Sequence, residues 1–454
     1  MSYFIPSSVN ISHLTVGGFD GTLDRISTRT INMSNHKRWH LLVFIFFYYC
    51  HSHAQCIKYD QPYKPCSDKM SIVQWTGGQF DFPTSSTKSI FKLSGKYLPK
   101  NVIATRAQLV DDAVFLALPR YRPGVPATLV KANAKAGSYA TTFKPYPGWD
   151  MQEEGNCKAL QSVVDLMVDQ NAVLWVLDTG IVNTLETPVR KCPPKVVAIS
   201  VKTGKTLKSI SLDGLTTSRS RLQYLVVEYD SEGACFVYVS DAANRAILVF
   251  NLHADRGYRV VLPEAVTASS GALDVLYIAL IRLEEGTTEL YFTYLSTNRL
   301  YKLRTEYLRS GAAEGQIMDL GKKSNRIVII GTDNGSAIFF RNEGDATVFR
   351  WDTKTPFAEV NFKSVYRAPT CQLATHALPD YKRNTMRVLQ SNFPDYMQNQ
   401  VGCGAVQQLA MIERFDEQCF PICFPAQKEI TKTVSKHANM QRTADRAKNR
   451  EIRD

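Results

Sequence analysis

Val173-Leu-Trp-Val-Leu-Asp178, answered by Lys195-Val-Val-Ala-Ile-Ser200, is the phrase that decides the fold. Each half is a short run of β-branched, aromatic and aliphatic residues ending on a polar one. The exit Val201-Lys-Thr-Gly-Lys205 supplies a glycine for a hairpin turn. The phrase recurs. Ala113-Val-Phe-Leu-Ala-Leu118, Cys235-Phe-Val-Tyr-Val-Ser240, Glu289-Leu-Tyr-Phe-Thr-Tyr294, Ser336-Ala-Ile-Phe-Phe340 and Thr385-Met-Arg-Val-Leu389 are runs of the same type, with starts roughly fifty to sixty residues apart. Ala246-Ile-Leu-Val-Phe250, Leu300-Tyr-Lys-Leu303 and Thr347-Val-Phe-Arg-Trp351 follow three of them as second strands. No long amphipathic helix competes between Ser71 and Arg414. A unit of several short strands cannot bury both faces alone, and a closed ring gives every sheet two neighbours and few open edges. The expected fold is all-β, a six-bladed β-propeller over residues 72–425, with Ile72-Val-Gln-Trp75 as the closing strand of the last blade.

Outside that body the chain reads differently. Leu41-Leu-Val-Phe-Ile-Phe-Phe-Tyr-Tyr-Cys50 is an apolar run of about ten residues, where a membrane span needs about twenty. His36-Lys37-Arg38 precedes it and Ser52-His-Ala54 closes it with small residues, the pattern of a secretory signal. Residues 33–54 are therefore expected to be a cleaved signal and 55–71 a lead-in. Met33 is the expected true start, with residues 1–32 an extension ahead of it, and 426–454 are expected to be a basic, flexible tail. The rival, an uncleaved anchor, has too short an apolar run, so no stable membrane insertion is expected.

Cleavage after Ala54 removes one of ten cysteines and leaves nine, an odd number for an oxidising compartment. No C-x-x-C pair occurs, so neither zinc nor another metal is expected. The formal charge is +12, yet the basic residues are spread along the chain without the runs that contact nucleic acid. Of three sequons only Asn334-Gly-Ser336 lies beyond the signal, as the expected glycosylation site.

Several phrases carry a family resemblance. Ala117-Leu-Pro-Arg-Tyr-Arg-Pro-Gly-Val-Pro-Ala-Thr128, Glu154-Gly-Asn-Cys157, Leu174-Trp-Val-Leu-Asp-Thr-Gly180, Cys192-Pro-Pro194 and Tyr238-Val-Ser-Asp241 closely resemble the insect yellow and major royal jelly protein family, in the family's order. The resemblance spans about Ile72 to Phe420 and implies secretion and a six-bladed propeller. Met151-Gln-Glu-Glu-Gly-Asn-Cys157, Gly180-Ile-Val-Asn-Thr-Leu-Glu186, Arg221-Leu-Gln-Tyr224 and Ala374-Thr-His-Ala377 resemble the branch named yellow-g, associated with eggshell formation. It also implies a disulfide between Cys157 and Cys192. Cys371 with Cys403 is a second candidate pair, Cys56 with Cys66 and Cys419 with Cys423 are local ones, and Cys235, inside a strand pattern, is the candidate free thiol.

Candidate chemistry is sparse. No nucleophile elbow, zinc-protease helix or phosphate loop occurs, and no cofactor is expected. His253 and His376 read as structural, with His376 the base to test in an enzyme. Asp178 and Asp241 each end an apolar run. They either cap a turn through backbone N–H groups or face the central funnel and bind a cation or amine. Arg120 and Arg122 sit in a proline-stiffened crossing or project charge to the channel mouth. Some relatives convert dopachrome and others bind aromatic amines in the channel. The second resemblance touches Val388-Leu-Gln-Ser391, which carries Ser391 over as a ligand contact. The expected function is that of a secreted, non-enzymatic structural protein of the insect eggshell, its partners being extracellular matrix proteins. The alternatives are dopachrome conversion and binding of a small aromatic amine.

Overall fold

The run Val173–Asp178 is the second strand of a four-stranded antiparallel sheet, and the same quartet returns along the chain. The computed structural model describes residues 73–134, 141–267, 274–283, 286–402 and 404–414. The expected signal, lead-in and tail lie outside them, as do Cys56, Cys66, Cys403, Cys419 and Cys423.

In chain order, β1 (Val73–Thr76), β2 (Gln79–Phe80) and helix α1 (Ser85–Leu93) precede β3 (Arg106–Val110), β4 (Ala113–Ala117), β5 (Leu129–Asn133) and β6 (Thr142–Pro145). The next quartet is β7 (Val163–Val168), β8 (Val173–Asp178), β11 (Lys195–Ser200) and β12 (Thr206–Ser211), with a small ladder of β9 (Ile181–Val182) and β10 (Val189–Arg190) in the loop between its second and third strands. Then come β13 (Leu222–Tyr229), β14 (Cys235–Asp241), β15 (Ala246–Asn251) and β16 (Arg256–Val261), followed by β17 (Leu276–Arg282), β18 (Thr288–Tyr294), β19 (Arg299–Arg304) and β20 (Met318–Lys322). The final eight-stranded sheet holds β21 (Ile327–Thr332), β22 (Ala337–Asn342), β23 (Thr347–Asp352) and β24 (Phe362–Arg367) on one side of its seam. On the other are β25 (Leu373–Asp380), β26 (Thr385–Ser391), β27 (Val406–Arg414) and β1.

That seam is a single parallel register pair, Gly331 opposite Ala377. A Cβ on Gly331 would stand 2.0 Å from the Ala377 carbonyl oxygen, so only glycine permits the approach. The first strands β3, β7, β13, β17, β21 and β25 each touch the next, and β25 touches β3. Sheets packed on two sides need strands that are apolar on both faces. All seven residues of β14 and all seven of β26 are buried accordingly. The apolar clusters run across neighbouring sheets. Tyr238 and Val249 pack with Phe292 and Tyr294, and Leu378, Leu389 and Leu409 pack with Ala107, Val114 and Leu116.

The closing strand expected at Ile72–Trp75 is present as β1, antiparallel to β27 with Val73 opposite Leu409 and Thr76 opposite Val406. Gln407 fastens it. Its Oε1 accepts the Trp75 indole N–H at 3.3 Å and the Ala104 amide at 2.7 Å, and its Nε2 donates to the Val102 carbonyl at 2.9 Å. The helix α1 has no counterpart in the expectations. It starts at Thr84, whose hydroxyl accepts the Thr87 amide, and none of its residues is buried.

Candidate ligand-binding channel

The first strands surround a channel whose wider end lies at their N-terminal ends. A cavity of about 860 Å3 opens there, within the range of small-molecule sites, lined by Thr105, Val164, Tyr224, Tyr277, Val328 and Thr375 among others. A smaller cavity of about 80 Å3 lies toward their C-terminal ends, between Gln108, Met167, Val226, Ile330 and His376. Strand alternation explains the lining: Gln108 follows Arg106 at a spacing of two and Val226 follows Tyr224, while Ala107 and Leu225 turn into the cores.

Arg106 and Tyr224 line both cavities and form the waist between them. The Arg106 guanidinium lies 4.7 Å from the Tyr224 ring centroid, and the Tyr224 and Tyr277 rings are 5.2 Å apart. Arg106 also donates to the Thr375 carbonyl at 2.7 Å and pairs with Asp165 at 3.4 Å. Burial works against the charge on Arg106, and Tyr224 and Asp165 more than offset it. Burial pushes the Asp165 carboxyl up to about 6, although Arg106 and the Leu225 and Leu166 amides pull the other way. Burial likewise raises the phenols of Tyr121 and Tyr277 to about 12, so both are neutral donors at pH 7.

The charge balance of the large cavity is one-sided. Among the described residues, Arg106, Arg190, Arg221 and Arg341 line it against a single carboxylate, Glu343, which pairs with Arg326 at 3.3 Å. Arg341 is fixed by bonds to the Ala374 carbonyl at 2.9 Å and the Asn342 carbonyl at 3.1 Å. Tyr121, Tyr224, Tyr277 and Phe393 add aromatic surface. Such a wall favours a ligand with a π-face and a negative group.

The residues singled out in the sequence fall mostly behind this wall. Asp178 is fully buried: one carboxylate oxygen accepts the Ser162 and Gly180 amides at 2.8 and 3.0 Å, and the other accepts the Gln161 amide at 2.9 Å and pairs with Lys195 at 3.2 Å. Asp241 is equally buried and holds Ser220 Oγ, the Arg221 amide and Asn244. Neither carboxylate lines the cavity; both pin the chain entering their own sheet to its second strand. Ser391, also fully buried, ends β26 opposite Leu373 and is not part of the lining. Arg120 spends its guanidinium on the carbonyls of Val125, Pro126, Gln152, Leu160 and Gln161, and Arg122 binds Glu186 and the Tyr396 and Met397 carbonyls. They are loop clamps, not channel charges.

His376 lies on the smaller cavity. Its Nδ1 accepts the Ala107 amide at 3.1 Å, and burial, then Arg106, hold its imidazole well below the usual histidine range. A neutral ring accepting at Nδ1 carries its hydrogen on Nε2 and has no lone pair left to act as a base. His253 is exposed in the turn between β15 and β16. Asn334 sits in the turn between β21 and β22, and its amide donates to Tyr381 at 2.7 Å.

Cys157 and Cys192 form a disulfide. Beneath it, Gly180 has φ +69° and a Cβ there would fall 2.0 Å from the Cys192 carbonyl oxygen. Cys371 is disulfide-bonded, while Cys235 is free and buried.

The cavity residues Arg106, Tyr121, Tyr277 and Arg341 had not stood out as ligand contacts. One signal was at hand: Arg221-Leu-Gln-Tyr224 lines the large cavity throughout, Gly180–Glu186 supplies Ile181, Thr184 and Leu185, and Ala374–Ala377 supplies Thr375. Three of the four phrases that resemble the yellow-g branch therefore reach the channel, and Met151–Cys157 does not.

A family model described as "Major royal jelly protein" matches residues 161–417. The chain is 24% identical to major royal jelly protein 1 of Apis mellifera over 324 residues, 65% of this chain and 72% of that protein. It is 23% identical to protein yellow of Drosophila melanogaster over 311 residues, 63% of this chain and 57% of that one. With dopaminechrome tautomerase of the same fly it shares 27% identity over 194 residues, 42% of each chain. Among solved structures it resembles regucalcin, a calcium-binding protein from Agrobacterium tumefaciens, at 12% identity and a TM-score of 0.39 over 69% of this chain and 92% of that one. An inactive virginiamycin B lyase from Staphylococcus aureus is similar at the same identity and TM-score, over 69% of this chain and 96% of that chain.

Proposed function

Given that the chain belongs to the major royal jelly protein family, we propose that it is a secreted six-bladed propeller of the insect eggshell whose channel holds a small aromatic anion. The observation that carries the ligand is the wall of the large cavity, where Arg190, Arg221 and Arg341, with Arg106 held by Asp165 behind it, meet Glu343 as the one lining carboxylate among the described residues, beside neutral tyrosines. A guanidinium pairs with a carboxylate or sulfate through two parallel bonds, and a tyrosine face stacks on a ring. An aromatic amine would set its ammonium against these arginines, so the amine reading is the weaker one.

Six blades are supported by the cyclic contacts of the first strands and by β1 completing the last quartet. Secretion is supported by the signal-like pattern at Leu41–Cys50 and by the Cys157–Cys192 disulfide. The eggshell destination, with matrix proteins as partners, rests on the yellow-g resemblance, and the 21 tyrosines offer phenols for oxidative cross-linking.

Calorimetry with matched probes tests the ligand: indole-3-acetate and 4-hydroxyphenylacetate against tryptamine and tyramine. The acids bind, Arg341→Gln weakens them, and the amines give no heat. Tight binding of the amines with silence from the acids refutes the charge argument. Antibody staining of ovary and purified eggshell tests the destination; protein confined to pigmenting cuticle refutes it.

The similarity to dopaminechrome tautomerase favours a second reading, conversion of a related quinone. That reaction moves a proton, and the Glu343 carboxylate and the neutral phenols of Tyr121 and Tyr277 are groups of the cavity wall that could accept or donate one. Dopachrome decay measured with and without protein decides it; equal rates remove the idea.

A further inference from the structure

The segment between β2 and β3 carries a surface that the channel does not use. Helix α1 rests on the body through Phe91, whose ring lies 5.3 Å from Phe82 and 5.8 Å from Trp149. With Phe91 turned inward, the helical step of about 100° per residue puts Ser89 and Leu93 at the outer crest. Ile90 stands on one flank of that crest, and Lys92 and Lys88 on the other. The exposures agree: Leu93 is 89% exposed and Ile90 62%. Lys88, Lys92, Lys96 and Lys100 are all exposed, and no Asp or Glu occurs between Asp81 and Asp111.

Two large aliphatic side chains held outward beside four lysines are a costly surface in water. A sulfated polysaccharide would satisfy the lysines and leave Leu93 and Ile90 wet. A lipid surface satisfies both, with aliphatic groups below the headgroups and ammonium groups on the phosphates. We propose that α1 and the turn after it seat this protein peripherally on an anionic phospholipid bilayer, with Leu93 and Ile90 as the inserted residues and Lys88, Lys92, Lys96 and Lys100 as the phosphate contacts.

Co-sedimentation of the full chain with phosphatidylcholine vesicles, with and without phosphatidylserine, tests this. Binding requires phosphatidylserine and weakens with salt. Each lysine near an anionic surface contributes roughly fivefold, so Lys88→Gln with Lys92→Gln weakens binding about thirtyfold. Leu93→Ser costs about tenfold or more. All these side chains are exposed, so an unchanged unfolding midpoint shows that each variant is folded. Retention of Leu93→Ser on immobilised heparin is unchanged. The proposal is overturned if phosphatidylserine has no effect. It is equally overturned if both variants bind vesicles like the parent, which would place the attachment on the basic residues after Gln427. Heparin-sensitive vesicle binding that ignores Leu93→Ser assigns the surface to a soluble polyanion, and also refutes it.

Discussion

Asp178→Asn separates a turn-holding carboxylate from a ligand-binding one. In the folded chain both oxygens are committed: one to the Ser162 and Gly180 amides, the other to the Gln161 amide and the Lys195 ammonium. Asparagine keeps one acceptor oxygen, and whichever way it flips its NH2 group points at a donor. Lys195, with only 9% of its side chain exposed, keeps the Cys157 and Ala159 carbonyls but loses its counter-charge. Removing one member of a buried ion pair costs about 3–5 kcal/mol, and each buried amide left without an acceptor about 1–3 kcal/mol. These contributions overlap, so the expected loss is about 4 kcal/mol for Asn and somewhat more for Ala. Urea unfolding of the oxidised protein reads it as a lower midpoint at unchanged slope. Asp178→Asn combined with Lys195→Met should recover part of the loss, because the stranded ammonium is gone. Should Asp178→Asn lie within about 1 kcal/mol of the parent while ligand affinity collapses, the turn-holding account is wrong.

Three further outcomes follow from the same geometry. Asp165 has a folded pKa of about 6 against an ordinary 3.8, so the folded state binds its proton more tightly. Its contribution to stability is therefore most favourable below about pH 4 and is lost as pH rises to about 6; relative to Asp165→Asn the parent should lose up to ~3 kcal/mol across that window, and a flat difference refutes the assignment. Gly331→Ala places a methyl 2.0 Å from the Ala377 carbonyl oxygen; prising apart the β21–β25 seam should cost about 1–3 kcal/mol or more, read from the thermal midpoint. Burial pushes the Cys235 thiol up to about 12, so mass-mapped alkylation at pH 8 should leave it unmodified until the protein is unfolded, and rapid labelling of the native chain would contradict that.

The sheets were legible because a strand sandwiched between neighbours must be apolar on both faces, and runs such as Cys235–Ser240 say so locally. The closing strand β1, buried only at Val73 and Trp75, was legible from its place just ahead of the first unit. Helix α1 was not, since it buries no residue and leaves no apolar stripe to find. The acids ending β8 and β14 announced two alternatives, and only the positions of the Ser162 and Arg221 amides choose between them. The channel wall was hardest to see. Arg106, Arg190 and Arg341 lie in different sheets and Arg221 just ahead of β13, and only closure of the ring brings them together. His376 looked like a candidate base because the amide occupying its Nδ1 comes from Ala107, 269 residues away.

Gln407 binds Trp75 across 332 positions and the Ala104 amide across 303. Bringing such distant ends together costs an unstructured chain about 5 kcal/mol of entropy, recovered only when the last strand docks. During synthesis, then, β1 waits without its partner until Val406–Leu409 of β27 have left the ribosome. A nascent chain stalled before Val406 would show two raw sheet edges to whatever quality-control machinery surrounds it.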